Sequence, residues 1–332
     1  LHLSIRRQRQ MCIRDSGKNY DLGVKNMKKT AIVTGASRGF GRGIAHVLAS
    51  VGQYKVFATA RNKSALDNLK REVDDLGCNG EIVPVALDQN NDNEVIKFSE
   101  EITKGGTKID LLVNSAYQGL IAMTPHFGKR FWERPISVYD DHMNVGVRSS
   151  YVMSKLIVPN MIQNNSGLIL QISSYGGFIY FCDVGYGVAH AAMDRLSYDM
   201  ATELKDQNVR AITIHPGAGQ TEITAFPDGE SPNFVGRAVL ALMEKADDNF
   251  LDQTNGKTLF TIDLAKKFGF KEDYDTDGSV NEARYQGSKP FKEMMLNTLP
   301  QYDTKSGLPK YSDTNNCLLY TSPSPRDLST SR

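Results

Sequence analysis

Two stretches of the chain space their side chains as chemistry could use them. The first, "TGASRGFGRGIA", holds Gly35, Gly39 and Gly41 in the pattern TGxxxGxG, with Ser37, Arg38 and Phe40 between them. Glycines let a backbone turn tightly and approach a diphosphate. A helix starting at such a turn offers that group free N–H donors and the positive end of its dipole. The second stretch, "YGVAH", sets Tyr186 four residues before His190, one helical turn apart on one face. A phenol ordinarily titrates near about 10 and an imidazole near about 6.5. At neutral pH the pair would therefore present a proton-bearing hydroxyl beside a mostly uncharged ring.

The elements that must position these groups are legible from hydropathy and end signals. "TAIVT" is a short apolar run before the glycine turn, and "GIAHVLASVG" after it has helical spacing. "YKVFATA" reads as a strand and "SALDNLKREVDDLG" as a helix, with Ser64 as N-cap and Gly77 past its end. The strands "EIVPVALD" and "IDLLVNSA" bracket the helical "DNEVIKFSEEITK". A long helical stretch around Tyr139 to Gln163 leads to the strand "GLILQISS". There follow the helix "GYGVAHAAMDRLSYDMATELKDQ", the strand "VRAITIHPG", the helix "NFVGRAVLALMEKA" and the strand "KTLFTID". Strands that are apolar throughout, each followed by an amphipathic helix, call for a parallel sheet covered on both faces. The expected fold is therefore α/β: a doubly wound, Rossmann-type sheet in a single domain, with ligands bound beyond the carboxyl ends of the strands.

Composition narrows the function. The 332 residues can bury a large core, and a formal net charge of +1 argues against a broad nucleic-acid surface. No apolar run approaches the roughly 20 residues of a membrane span. Four cysteines, two of them near the ends, make no disulfide framework and fit a reducing, cytoplasmic setting. The second strand ends in "ATARN", with no acidic side chain to hold a free ribose 2′-hydroxyl; Arg61 stands there, with Arg38 in the glycine turn. Guanidinium groups suit bidentate phosphate binding, which points to NADP(H) as cofactor. The ends "LHLSIRRQRQMCIRDS" and "CLLYTSPSPRDLSTSR" share no periodicity with the rest and look like translated adapter sequence, so residues 1–26 and 317–332 are set apart as foreign-looking tails. Residues 27–263 form the dinucleotide-binding domain. Residues 264–316, polar and Gly/Asp-rich, are expected to pack on the surface or to be partly disordered.

With the glycine turn, "VNSA" and "YGVAH" in this order, the chain resembles the short-chain dehydrogenase/reductases from about Met27 to Asp263. "RFWERPISVYDDHMNVGVRSSY", "QISSYGGFIYF", "VGYGVAHAA" and "DLAKKFGF" match one subgroup of that family. The resemblance implies an oxidoreductase that interconverts a small-molecule ketone or aldehyde with an alcohol. By it, Tyr186 is the general acid, Ser174 orients the substrate oxygen, and Asn144 belongs to the catalytic set; Ser173, next to Ser174, also fits the spacing. Asp88 would bind the adenine amino group, and Asn114 and Ala116 would support the adenine pocket, with Tyr117 where a glycine is usual. Pro216, Gly217 and Thr221 would close on the nicotinamide. The family places a lysine at position 190, where it holds ribose hydroxyls and lowers the tyrosine pKa by its charge. His190 in that place implies weakened activity, or a pseudoenzyme that binds NADP(H) without turnover. The resemblance also implies a homodimer or homotetramer and, for this subgroup, peripheral association with the endoplasmic reticulum. Phe131 and Trp132 read as packing for a loop beside the substrate cleft, and Cys182 as a small apolar filler.

Overall fold

The computed structural model describes residues 28–298 apart from Ala225 and Pro227. Both foreign-looking tails, Met27 and residues 299–316 lie outside the described residues. Seven strands form one parallel sheet in the order β3-β2-β1-β4-β5-β6-β7. They are β1 Thr30–Thr34, β2 Lys55–Ala60, β3 Glu81–Ala86, β4 Leu111–Asn114, β5 Gly167–Ile172, β6 Val209–His215 and β7 Thr258–Phe260. The chain leaves β1 toward β2 on one side and re-enters at β4 on the other, so the sheet splits its connections beside β1. In doubly wound sheets the ligand crevice opens at that point.

Burial alternates along the strands as a two-sided sheet requires. Ala31, Val33, Leu111, Val113, Leu168 and Leu170 face a core closed by the helices α1 (Gly39–Ser50), α2 (Lys63–Asp75) and α8 (Pro232–Glu244). Ile32, Leu112 and Ile169 face a second core under α3 (Asp92–Lys104), α6 (Ser149–Gln163) and α7 (Val184–Glu203). The intervening short helices are α4 (Gly119–Met123) and α5 (Ile136–His142); α9 (Asp248–Thr254) and α10 (Thr261–Phe268) flank β7. The doubly wound, single-domain expectation is met.

Three local expectations change. The N-cap of α2 is Asn62, whose Oδ1 accepts from the Ala65 amide at 3.1 Å, and Ser64 lies inside the first turn, donating to that same Oδ1 at 2.8 Å. The seventh strand is only three residues long, and "TID" opens α10. The helical stretch expected around Tyr139 to Gln163 is interrupted at Val145 (φ −108°, ψ 81°) and Gly146 (φ 165°, ψ −77°). There the Val145 carbonyl turns out of the helix to accept from the Gln118 amide at 3.0 Å. The ring of Tyr117 packs so closely that a Cβ on Gly146 would lie 2.8 Å from it. A helix continuing through Gly146 would have no room for that ring.

The stretch after Asp263 contains a further helix, α11 (Ser279–Thr298). Tyr285 and Met295 of this helix pack on a cluster of Phe178, Phe234 and Phe260. Arg284 donates to the carbonyls of Asp228 and Gly229 and pairs with the buried Glu272 at 2.9 Å, which ties α11 to the end of the segment following β6.

At that junction Glu230 is wholly enclosed. The Thr261 hydroxyl donates to its two oxygens at 2.7 and 2.6 Å. Burial pushes its carboxyl up to about 7 against hydrogen bonds from Thr261 and the Gly217 amide. A carboxyl raised in the folded chain holds a proton that the unfolded chain releases. Its contribution to stability is therefore present below about 4.5 and is lost as pH rises through about 7, a swing on the order of 3 kcal/mol. Glu230→Gln should accordingly unfold at a higher urea midpoint than the parent at pH 8, with the gap closing at pH 5. Denaturation curves of both proteins at the two pH values check this.

Candidate active site

The glycine turn lies between β1 and α1 at the carboxyl edge of the sheet. Gly35 has φ +69°, and a Cβ there would lie 2.7 Å from the Ala116 Cα; one on Gly41 would lie 2.5 Å from the Gly35 carbonyl oxygen. Only a side-chain-free turn lets β1, α1 and the end of β4 meet so closely. The first residue before α1, Arg38, caps it with no side-chain hydrogen bond, and its first turn holds no acidic residue. The first amides and positive dipole end of α1 face a cleft of about 270 Å³.

That cleft brings together most of the residues picked out by sequence. Gly35, Ser37, Arg38, Gly39, Phe40, Gly41, Arg61, Asp88, Tyr186, His190 and Thr221 all line it. Arg38 and Arg61 are exposed on its rim, and the hydrogen bonds and ion pairs described here engage neither guanidinium. Asn114 does not line the cleft: it lies buried with its amide donating to Ser154 at 3.0 Å, as a strut between β4 and α6. Pro216 and Gly217 likewise fall outside the lining, Gly217 being held against Glu230. Asn144 is placed elsewhere. It lines a shallow polar depression with Asn90, Asn91, Asp92, Asn93 and Arg148.

The two neighbouring serines divide between two partners. Residues at the end of β5 are extended (Ser174 φ −152°, ψ 150°), so successive side chains point to opposite sides. Ser174 is the polar group beside the phenol of Tyr186, and its Oγ accepts from the Gly176 amide at 3.2 Å. Ser173 Oγ lies 3.2 Å from Nδ1 of His190. Burial drives the Tyr186 phenol above its ordinary range, against the opposing pull of Ser174. Burial, then the nearby His215 and His142, push His190 well below 6.5, so its ring is neutral.

Several contributors are not evident from spacing. Tyr117 packs edge-on to Tyr186 with ring centroids 6.0 Å apart and lies 4.9 Å from His190, closing one side of the cleft. Its hydroxyl is hydrogen-bonded to His142 Nδ1. Asp183 caps α7, accepting from the Tyr186 amide at 2.6 Å, and forms a buried ion pair with Arg134. An aspartate directly before a helical run is an N-cap signal and could have been read from sequence; its partners could not. Glu222 reaches across the cleft, and its Oε2 accepts from the Gly39 amide at 2.8 Å. Phe131 and Trp132, expected to pack, are instead 64% and 69% exposed and touch each other edge to face, because their short helical turn presents both to solvent. Cys182 is half-buried among apolar neighbours, and burial pushes its thiol up to about 11, so it is an inert filler.

Fold and cleft together are those of a nicotinamide-type oxidoreductase, and the comparisons agree. The family model for short chain dehydrogenase matches residues 29–228, and the chain belongs to that family. Among curated relatives it is similar to mouse dehydrogenase/reductase SDR family member 1, 37% identical over 271 residues, covering 75% of this chain and 84% of that protein. Among solved structures it is similar to a 7α-hydroxysteroid dehydrogenase complexed with NADH and 7-oxo glycochenodeoxycholic acid. The identity is 26% and the TM-score 0.60, covering 70% of this chain and 92% of that one. A metagenomic short-chain oxidoreductase in complex with NADP is 27% identical with a TM-score of 0.59, covering 70% and 96%.

A carboxylate on the amide of Gly39 competes with any phosphate brought to the same helix start. Glu222→Gln should tighten NADPH binding by about threefold to tenfold, consistent with removing one charge at a helix N-terminus. Titration by cofactor fluorescence reads the constant, and an unchanged or weaker affinity would show that Glu222 does not compete.

Proposed function

We propose that this protein is an NADP(H)-dependent reductase of ketones or aldehydes, with Tyr186 as proton donor and Ser174 as its hydrogen-bonding partner at the substrate oxygen. The observation that carries this reading is the phenol of Tyr186, with Ser174 beside it, on the wall of a cleft that begins at the N-terminus of α1. Hydride delivered to a carbonyl carbon leaves charge on the oxygen, and a protonated phenol within reach neutralises it. The two exposed guanidinium groups of Arg38 and Arg61 support a 2′-phosphate on the cofactor. Asp88, on the same wall, would meet the adenine end. Tyr151, Val184 and Val188, apolar side chains exposed on α6 and α7, support pairing of two copies through these helices. Among the described residues no helix is long and apolar enough to cross a membrane.

The neutral His190 and the displaced Asn144 favour a second reading, an NADP(H)-binding protein without turnover. A lysine at position 190 would place a unit charge about 4 Å from the developing phenolate. At an effective dielectric near 20 that charge is worth up to about 4 kcal/mol, or as much as roughly a thousandfold in rate.

A panel of ketones and aldehydes with NADPH or NADH separates the readings. Slow NADPH oxidation is expected, abolished in Tyr186→Phe and raised in His190→Lys by up to about a thousandfold. Tight cofactor binding with no turnover in either parent or His190→Lys would establish the binding-only reading. Because Tyr186 is held in its protonated form, carbonyl reduction should be nearly flat from pH 6 to 9. Alcohol oxidation, which needs the phenolate, should rise with pH through that range, and stopped assays in both directions measure it.

A further inference from the structure

Ser173 is absorbed by neither the proton donor nor the substrate contact. It is buried, and its Oγ lies 3.2 Å from His190 Nδ1 and 3.3 Å from the His190 carbonyl oxygen. That carbonyl lies inside α7, where the helix ladder already uses it as an acceptor. Nδ1 has no other partner, so it is the acceptor that would otherwise go unsatisfied. On the far side of the same ring, Nε2 is buried with no hydrogen-bond partner in the protein. The ring itself is wedged between Tyr186, with centroids 4.2 Å apart, and Tyr117, and it forms part of the cleft wall.

A neutral imidazole carries its proton on one nitrogen, and the hydrogen bond made by the other decides which. We propose that Ser173 is a positioning residue that donates its hydroxyl to Nδ1 and thereby holds the proton of His190 on Nε2, aimed at a sugar hydroxyl of the bound dinucleotide. The ligand class follows from the donor. An uncharged N–H buried in the cleft wall beside the Tyr186 phenol suits a neutral hydroxyl oxygen, whereas the phosphates would be met by the helix N-terminus and the arginines. The inference rests on the dinucleotide-binding part of the reading above and not on turnover. It also explains why two adjacent serines are both engaged: Ser174 serves the phenol, and Ser173 serves the residue standing where a lysine would need no such help. A lysine ammonium has three donors and no tautomer to set.

The test uses the full chain. In protein with ¹⁵N-labelled histidine, the His190 ring nitrogens of the parent should report a proton on Nε2, whereas Ser173→Ala should give a mixture of tautomers and Ser173→Thr should restore the parent pattern. NADPH affinity should fall by about fivefold to tenfold in Ser173→Ala, as expected for one lost hydrogen bond, and recover in Ser173→Thr. In a His190→Lys background, Ser173→Ala should leave affinity unchanged. A proton on Nδ1 in the parent, or an equal loss of affinity in both backgrounds, would overturn the proposal. Absence of carbonyl turnover with the coupling intact would instead count against the reductase reading alone. Should Ser173→Ala fail to fold, the parent spectrum and the Ser173→Thr affinity still decide.

Discussion

Asp183 is the carboxylate on which the site's geometry depends. Burial alone would raise its pKa, but the close approach of His142 Nε2 at 3.4 Å, the hydrogen bond from the Tyr186 amide and the charge of Arg134 hold it below the ordinary carboxylate range. It is therefore a charge enclosed with its partners, an arrangement that is costly to break on one side. Because it caps α7, it sets the start and rotation of the helix that carries both Tyr186 and His190. Arg134 comes from the segment before α5 and His142 from the end of α5. One carboxylate thus joins the loop beside the cleft, the broken helix and the helix of the proton donor. The hydroxyl of Tyr117 on His142 extends this network to the aromatic wall against which His190 rests.

The same packing that positions Tyr186 also works against its ionisation. The phenol and the imidazole are both nearly removed from solvent, and burial favours the uncharged form of each. In the family the corresponding lysine would set a fixed charge against that tendency. Here the opposing influence comes from Ser174 and is smaller than the effect of burial. Desolvation thus favours the protonated phenol and the uncharged imidazole.

Much of the scaffold was legible along the chain. The apolar strands "TAIVT", "YKVFATA" and "GLILQI" needed no tertiary information, since only a sheet covered on both faces buries such runs. Gly35, Gly39 and Gly41 marked a tight turn ahead of a helix before any neighbour was known. The interruption at Val145–Gly146 was not legible, because its neighbours there, the Gln118 amide and the Tyr117 ring, lie nearly thirty residues earlier. Asn144, placed in the catalytic set by resemblance, lines a separate polar depression in the structure. Asn62 displaced Ser64 as the cap because the helix starts two residues earlier than expected and both residue types make good caps. Arg284 and the Gly229 carbonyl it holds lie 55 positions apart, and no periodicity joins them.

By itself the sequence determined the sheet, the glycine turn, the Tyr186–His190 spacing on one helical face and the exchange of a lysine for a histidine, because these depend on local hydropathy, backbone freedom and the helical repeat. Tertiary structure alone decided which serine meets the phenol, that His190 is enclosed and neutral, that Glu222 reaches Gly39, and that Asn144 lies outside the cleft. Each of these depends on which distant side chains share a small, desolvated volume, and a linear pattern carries no measure of that.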